Sequence, residues 1–180
     1  MSRRLFILID EGGTTSSGGD TGTTYTIGQS ALGGIVFYIT NGGLHGLVGA
    51  VADAGGQPWG CSGTAMGANA RGWTIGTGQL NTTTIVNGCA TDWIPAKLCN
   101  DYSYGGYNDW YLPSHDELTQ LIAQKSYFSS WSYTYYWSST EIGTTTAACI
   151  TYSNGYWYDG VQGAAMEKIY SNGCRAVRSF

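Results

Sequence analysis

Residues 105–117 read GGYNDWYLPSHDE. Ser114 is a natural helix N-cap, and Glu117 three positions on completes a capping box. In that arrangement each side chain satisfies a backbone N–H the other end leaves free. Leu118, Leu121 and Ile122 follow at i, i+3 and i+4 spacing, and Lys125 suits the negative end of the helix dipole. The spacing predicts a helix over residues 116–125. His115, at its start, is expected on the surface.

Toward the N-terminus, residues 34–40 (GIVFYIT) and 44–52 (LHGLVGAVA) are apolar runs separated by Asn41-Gly42-Gly43, a hairpin signal. Residues 55–90 are rich in Gly, Thr and Asn, with Trp59 and Trp73 as anchors and a short helix over 79–87. Residues 93–100 (WIPAKLCN) read as a further helix. Beyond the capped helix only strands and loops are read: 136–141, 147–152, 155–159 and 174–179. Two or three helices followed by a Trp/Tyr-rich β region make an α+β pattern.

The chain has 180 residues, enough for one domain that buries about 70% of its unfolded surface without staples. Charged residues are 11%, against about 25% in an ordinary soluble domain. The formal net charge of -4 excludes the basic footprint of a nucleic-acid binder. In place of charge stand 28 Gly, 14 Tyr and 7 Trp. Residues 12–24 form a Gly/Ser/Thr tract of linker composition. Ahead of it, residues 5–9 read as a short strand that would add to the domain's own sheet or to a neighbouring subunit, forming an oligomer. That run is too short for a signal peptide's apolar core, and no run is long enough to insert in a membrane. The reading divides the chain into 1–24, strand and linker, and 25–180, the domain.

No catalytic or metal motif emerges. The five cysteines include no C-x-x-C pair. They are read as buried free thiols, or as one disulfide among Cys61, Cys89 and Cys99. His45, in an apolar strand, reads as a structural residue. Asp109 is expected to tie a turn. There is no acid cluster that supplies six oxygens to calcium, and no phosphate loop or nucleophile elbow. No cofactor and no enzymatic activity are expected. An oxidising enzyme using Cys149 and Cys174 is the catalytic alternative.

Four segments, residues 25–38 (YTIGQSALGGIVFY), 105–117, 136–141 (YWSSTE) and 175–178 (RAVR), together resemble the lectin-like C-terminal domain of bacterial collagen-like adhesins. The resemblance implies a C-type lectin-like fold of the subtype related to formylglycine-generating enzymes. It would be loop-rich, with its helices around a small twisted antiparallel sheet. The calcium-binding words of such lectins are missing: Gln57-Pro58-Trp59 lacks the acid. A narrower resemblance is to the variable proteins of diversity-generating retroelements, in which a C-terminal segment is mutated at Asn-type codons. Here 131–158 holds six Tyr, three Trp and one charge, Glu141. Stable-looking words, YWSSTE and RAVR, bracket the Tyr/Ser/Thr-rich stretch.

This second resemblance implies a variable region over 131–170. Its ligand-binding candidates are Tyr133 and Tyr135, then Thr144 and Thr146. Tyr152 and Asn154 follow, and then Tyr156, Trp157, Tyr158 and Asp159. The composition gives an independent physical warrant, because Tyr and Trp offer contact area with two side-chain torsions and Ser, Gly and Asn adapt their hydrogen bonds, as in antibody paratopes. Trp137 is read as core. The runs 133–136 and 156–158 should point about half their side chains outward. Arg175 and Arg178 are expected to pair with acids such as Glu141 and Asp109, with at most one of them buried. The function expected is a display module on a virion or extracellular surface, binding protein partners on a host or other cell. The alternative is an adhesin-type domain with a fixed glycan ligand.

Overall fold

The structure, a computed structural model, describes residues 22–153, 156–158 and 164–180. The strand and linker read over 1–24 therefore lie almost wholly outside the described residues. The architecture is α+β, with a few short helices and two sheets that are mostly antiparallel.

The first sheet has the order β1-β2-β3-β10, with β1 Ser30–Ala31, β2 Gly34–Thr40, β3 His45–Gly49 and β10 Val177–Ser179. The β2–β3 hairpin turns where the sequence signals it. In the four-residue connection between Thr40 and His45, Asn41 (φ 47°), Gly42 (φ 65°) and Gly43 (φ 92°) all take positive φ, which Asn and Gly adopt most readily. His45 opens β3 next to this turn and is exposed, correcting its reading as an apolar-strand residue.

The second sheet has the order β4-β9-β5-β6, with β4 Gly55–Pro58, β9 Ser171–Cys174, β5 Tyr135–Glu141 and β6 Thr146–Ser153. The outer edge of β6 is shared. Its C-terminal half pairs with β7, Tyr156–Tyr158, and its N-terminal half with β8, Ala164–Glu167. β5 meets β9 in parallel at Tyr136 and Gly173.

The expected single strand over 174–179 is two strands in different sheets. The chain leaves β9 at Cys174, passes Arg175 and Ala176, and enters β10 in the first sheet. Face alternation is reset at that crossing, which is why both arginines are buried. Arg175 pairs with Asp53, not Glu141, through Nε at 2.9 Å and Nη2 at 2.7 Å. Its guanidinium lies 4.1 Å from the Trp131 ring centroid. Arg178 grips Asp109 with Nε and Nη2, at 2.6 and 2.8 Å, as expected.

Three α-helices are described: α1 Gly78–Gly88, α2 Pro95–Asn100 and α3 His115–Ala123. In α3 the capping box forms as read. Ser114 Oγ accepts from the Glu117 N–H, and Glu117 Oε2 accepts from the Ser114 N–H at 2.8 Å. Glu117 also accepts the Gly76 N–H at 2.8 Å, so it anchors a remote loop as well as its own helix. Burial raises its carboxyl above the usual carboxylate range. His115 is buried, not on the surface. The helix start docks on residues 73–74, where the His115 ring packs tilted against Trp73, centroids 4.7 Å apart, and the Asp116 N–H donates to the Trp73 carbonyl.

The stretch 105–112 runs beside β10, bridging Tyr111 to Val177, and sends Trp110, Tyr111 and Leu112 into the core. Trp59, Trp110 and Trp137 share one apolar cluster, while Phe37, Leu118, Leu121 and Tyr136 belong to another. Two indoles also bind backbone across the second sheet. Trp59 Nε1 donates to the Ser138 carbonyl at 2.9 Å, and Trp137 Nε1 to the Gln57 carbonyl at 3.1 Å. Gln57-Pro58-Trp59, the nearest word to a calcium-lectin motif, thus ends in a core anchor.

Cys61 and Cys89 form a disulfide, one of the pairings left open by the sequence. It closes a loop of separation 28, worth roughly 3–4 kcal/mol in a chain-entropy account. Cys99, Cys149 and Cys174 are buried and stand outside the disulfide. Burial pushes the Cys149 thiol up to about 12, so its thiolate is scarce at neutral pH. Ellman titration of native protein should therefore find almost no rapid thiol, with three per chain appearing on denaturation. Rapid native labelling of Cys149 would contradict the packing described.

The Asp109–Arg178 pair carries a pH signature. The hydrogen bond from Arg178 holds the Asp109 carboxyl below its usual range. A lowered folded pKa gives stability that is full above the unfolded value, near 3.9, and is lost as pH falls through the folded value. Asp109 is half exposed, so solvent screens the pair and the effect is modest. The melting-temperature gap between wild type and Asp109→Asn should be open at pH 6 and close between about pH 4 and pH 2. A gap that stays constant down to pH 2 would count against the pair's contribution.

Candidate functional site

The candidate surface begins where the chain leaves Trp131 and enters β5. Central strand β5 is buried on both faces from Tyr136 to Glu141, and only its first residue, Tyr135, is exposed, at 37%. The two-face alternation expected for residues 133–136 therefore ends at Tyr136, which is fully buried. Trp137 is core, as read.

Tyr133 is half-buried, and its environment was not legible locally. Its ring lies over Gly56 of β4 and Gly173 of β9, and a Cβ at either glycine would run into the ring. Tyr133 also packs edge-on to Tyr136, with ring centroids 6.0 Å apart. Ser132, Thr134 and Tyr135 border a groove of about 370 Å³ with Tyr133, closed on the far side by Ser171 and Asn172 of β9.

Asp53 holds the segment in place, a role that sequence reasoning missed. Its Oδ2 accepts the Tyr136 hydroxyl at 2.9 Å and the Ser132 N–H at 3.1 Å. Its Oδ1 takes Arg175. Arg175 also donates to the Ser130 carbonyl. A single carboxylate thus ties the loop before β5, the core tyrosine and the crossing between sheets. Burial, then the neighbouring Asp53 charge, raises the Tyr136 hydroxyl well above its usual range, so it stays a donor.

Strand register brings some of the predicted residues together. Tyr135 pairs with Thr151, and Thr151 pairs with Tyr158, so the three occupy one row across β5, β6 and β7. Tyr152 pairs with Trp157, and Ser153 with Tyr156, immediately beyond that row. Asn154 and Asp159 lie outside the described residues.

Thr144 and Thr146 do not join this row. They sit at the other end of the β5–β6 hairpin, about 20 Å along the strand from Tyr135 at 3.3 Å per residue. Thr144 is exposed in the turn. Thr146 is half-buried and pairs with Glu167, while its carbonyl accepts the Ile142 and Gly143 N–H groups. Cys149, between these two ends of β6, is fully buried in the core.

The same segment is braced at both ends by buried charge. Glu141 Oε1 accepts from Lys168 Nζ at 2.7 Å and from the Met66 N–H at 2.9 Å, and its Oε2 lies 3.3 Å from Arg71 Nε. Lys168 Nζ also sits 4.4 Å from the Trp59 ring centroid. Among the described residues no group of three or more His, Cys, Asp or Glu side chains is placed to hold a metal ion. Among them, too, no helix is long and apolar enough to cross a membrane.

No protein-family model matches the chain, and no curated protein sequence does. Among solved structures the fold is similar to that of a fimbrial protein from Bacteroides ovatus ATCC 8483, with a TM-score of 0.50 at 17% sequence identity. The match covers 73% of this chain and 35% of the fimbrial protein, so the chain spans about a third of that protein's length. At this identity the likeness concerns the fold alone.

Proposed function

We propose that the chain is a ligand-binding display module on a C-type lectin-like scaffold, its diversified surface lying within residues 131–170. The observation that carries this reading is exposed Tyr135, which borders the Ser132–Tyr135 groove, stands in register with Thr151 and Tyr158, and opens a strand that is otherwise wholly buried. An aromatic and hydroxyl surface on a rigid, separately braced support is the arrangement paratopes use. Change at such positions costs little in folding, because surface substitutions away from packed features stay within about 0.5 kcal/mol. The paired sheets and the capped helix α3 support the lectin-like scaffold. The Cys61–Cys89 disulfide supports an extracellular or virion-surface location, since disulfides persist in oxidising compartments. The partners fitting this surface are proteins on a host or other cell.

A display library tests the proposal. Ser132, Thr134, Tyr135 and Thr151 would be randomised together and selected against hen lysozyme as an arbitrary folded target. Most members should fold with melting temperatures close to the parent, and target-specific binders should emerge. A library that mostly unfolds, or that folds and yields no binder, would overturn the reading. The second reading, an adhesin-type domain with a fixed glycan ligand, draws on the likeness to a fimbrial protein.

A further inference from the structure

The approach to α2 carries a feature that neither folding nor the Tyr135 surface uses. Trp93 has φ 60°, the left-handed region, where an L side chain crowds its own backbone. A bulky aromatic there is a strained residue, and such strain concentrates at functional sites. The side chain that bears the strain is not itself packed. Ile94 enters the core and Pro95 starts the helix, yet Trp93 itself is 74% exposed, more than any other exposed large apolar side chain described. Among the described residues its indole makes no hydrogen bond and no ring contact.

The indole borders a pocket of about 470 Å³, within the range of small-molecule sites. Leu98 and Tyr102 give the pocket an apolar side, and Asp92, Lys97, Asp101 and Ser103 supply polar groups. Lys97 Nζ is 3.2 Å from Asp92 Oδ1, and Asn100 Nδ2 donates to Asp101 Oδ1 at 3.0 Å. Among the described residues, the second oxygen of each carboxylate accepts no hydrogen bond.

We propose that this pocket is a second, fixed binding site for a neutral saccharide of one or two rings. A pyranose ring presents polarised C–H groups on one face and hydroxyls around its rim. The C–H face matches the electron-rich face of an exposed indole. The rim hydroxyls match free carboxylate oxygens and the Ser103 hydroxyl. Two carboxylates against one ammonium leave the pocket with a net negative charge, which disfavours sialylated or sulfated sugars. No residue of this pocket borders the Tyr135 groove, so the two sites stand or fall separately.

The test uses the full chain, calorimetry and ligand-observed NMR. The probes are neutral oligosaccharides of glucose, galactose, mannose and N-acetylglucosamine, with 3′-sialyllactose as the anionic comparison. At least one neutral probe should bind, and sialyllactose at least tenfold more weakly. Trp93→Asn should weaken the neutral probe at least tenfold. Asn tolerates the left-handed conformation, so the variant's melting temperature should hold or rise, by about 2–4 °C if one kcal/mol of strain is relieved. Tyr135→Ala should leave saccharide binding unchanged. The proposal is overturned if no neutral probe binds, if Trp93→Asn binds equally, or if sialyllactose binds as well. A fall in the variant's melting temperature would overturn it by assigning Trp93 to packing. A Trp93-dependent dimer in sedimentation would do so by making the patch a self-interface.

Discussion

Lys168→Met is expected to destabilise the protein by about 3–5 kcal/mol, the range for removing one partner of a buried ion pair. Both side chains of the Lys168–Glu141 pair are fully buried. Among the described residues, removing the ammonium leaves Glu141 with the Met66 N–H and the half-exposed Arg71. Arg71 should hold the loss toward the lower end of that range. At about 2–4 °C per kcal/mol for a chain of this size, the melting temperature should drop by roughly 6–15 °C. A double-mutant cycle with Glu141→Gln should give strong coupling, with the double variant more stable than the sum of the singles implies. A loss under about 1 kcal/mol, the usual ceiling for exposed pairs, would show that the pair is not buried in solution.

The pair bears on the proposed function through where it sits. Glu141 ends β5, and Lys168 follows β8, so the pair clamps the two ends of the segment between them. The Lys168 N–H donates to the Thr145 carbonyl at 2.8 Å, and its carbonyl accepts the Trp59 N–H at 2.9 Å. A segment free to change sequence needs its ends held by residues that do not change. In the proposed reading Lys168 is one of those, although the expected variable region of 131–170 contains it.

Trp137→Ala should cost a further large amount, about 3–5 kcal/mol, as for other buried aromatic truncations. The indole is fully buried, and its N–H bond to the Gln57 carbonyl would be lost, leaving that acceptor to find another partner. Tyr135→Ala, two residues away, should cost less than about 1 kcal/mol, because the ring is partly in water and anchors no core contact. Urea denaturation of the two variants reads the contrast directly. Similar losses would mean that Tyr135 is a core residue and that the proposed surface is misplaced.

Local signals were readable where one segment determines its own structure. The capping box of Ser114 and Glu117 and the Asn41-Gly42 turn are of this kind, since both depend on residues within four positions. Helix α1 was placed correctly although its inward face is largely polar, with Asn81 and Thr82 beside Ile85. Asn81 exchanges hydrogen bonds with Gly72 at 2.7 and 3.0 Å, and Thr82 bonds Leu112. No hydrophobic period could have shown how that face is satisfied. The sheet crossing at Arg175–Ala176 was hidden because a strand pattern carries no mark of which sheet it joins. His115 was misread because its cover, Trp73, lies more than forty residues away.

The site was legible to a similar degree. Tyr135 could be read as outward-facing from composition and strand alternation. Tyr133 could not be seen as half-buried, because the glycines that admit its ring, Gly56 and Gly173, come from two distant strands. Asp53 was invisible for the same reason, since its partners Ser132, Tyr136 and Arg175 meet it only in the folded chain.

The central claim is that a fixed scaffold carries a surface built to vary, and deep sequencing of the encoding locus in a clonal population tests it most directly. Substitutions should cluster at exposed positions within residues 131–170, Tyr135 and Thr144 among them, and at codons of the Asn type. They should spare the buried run from Tyr136 to Glu141, the core residues Ala147 to Ile150, and Lys168. A locus that is uniform across the population, or substitutions scattered evenly through core and surface, would contradict the account.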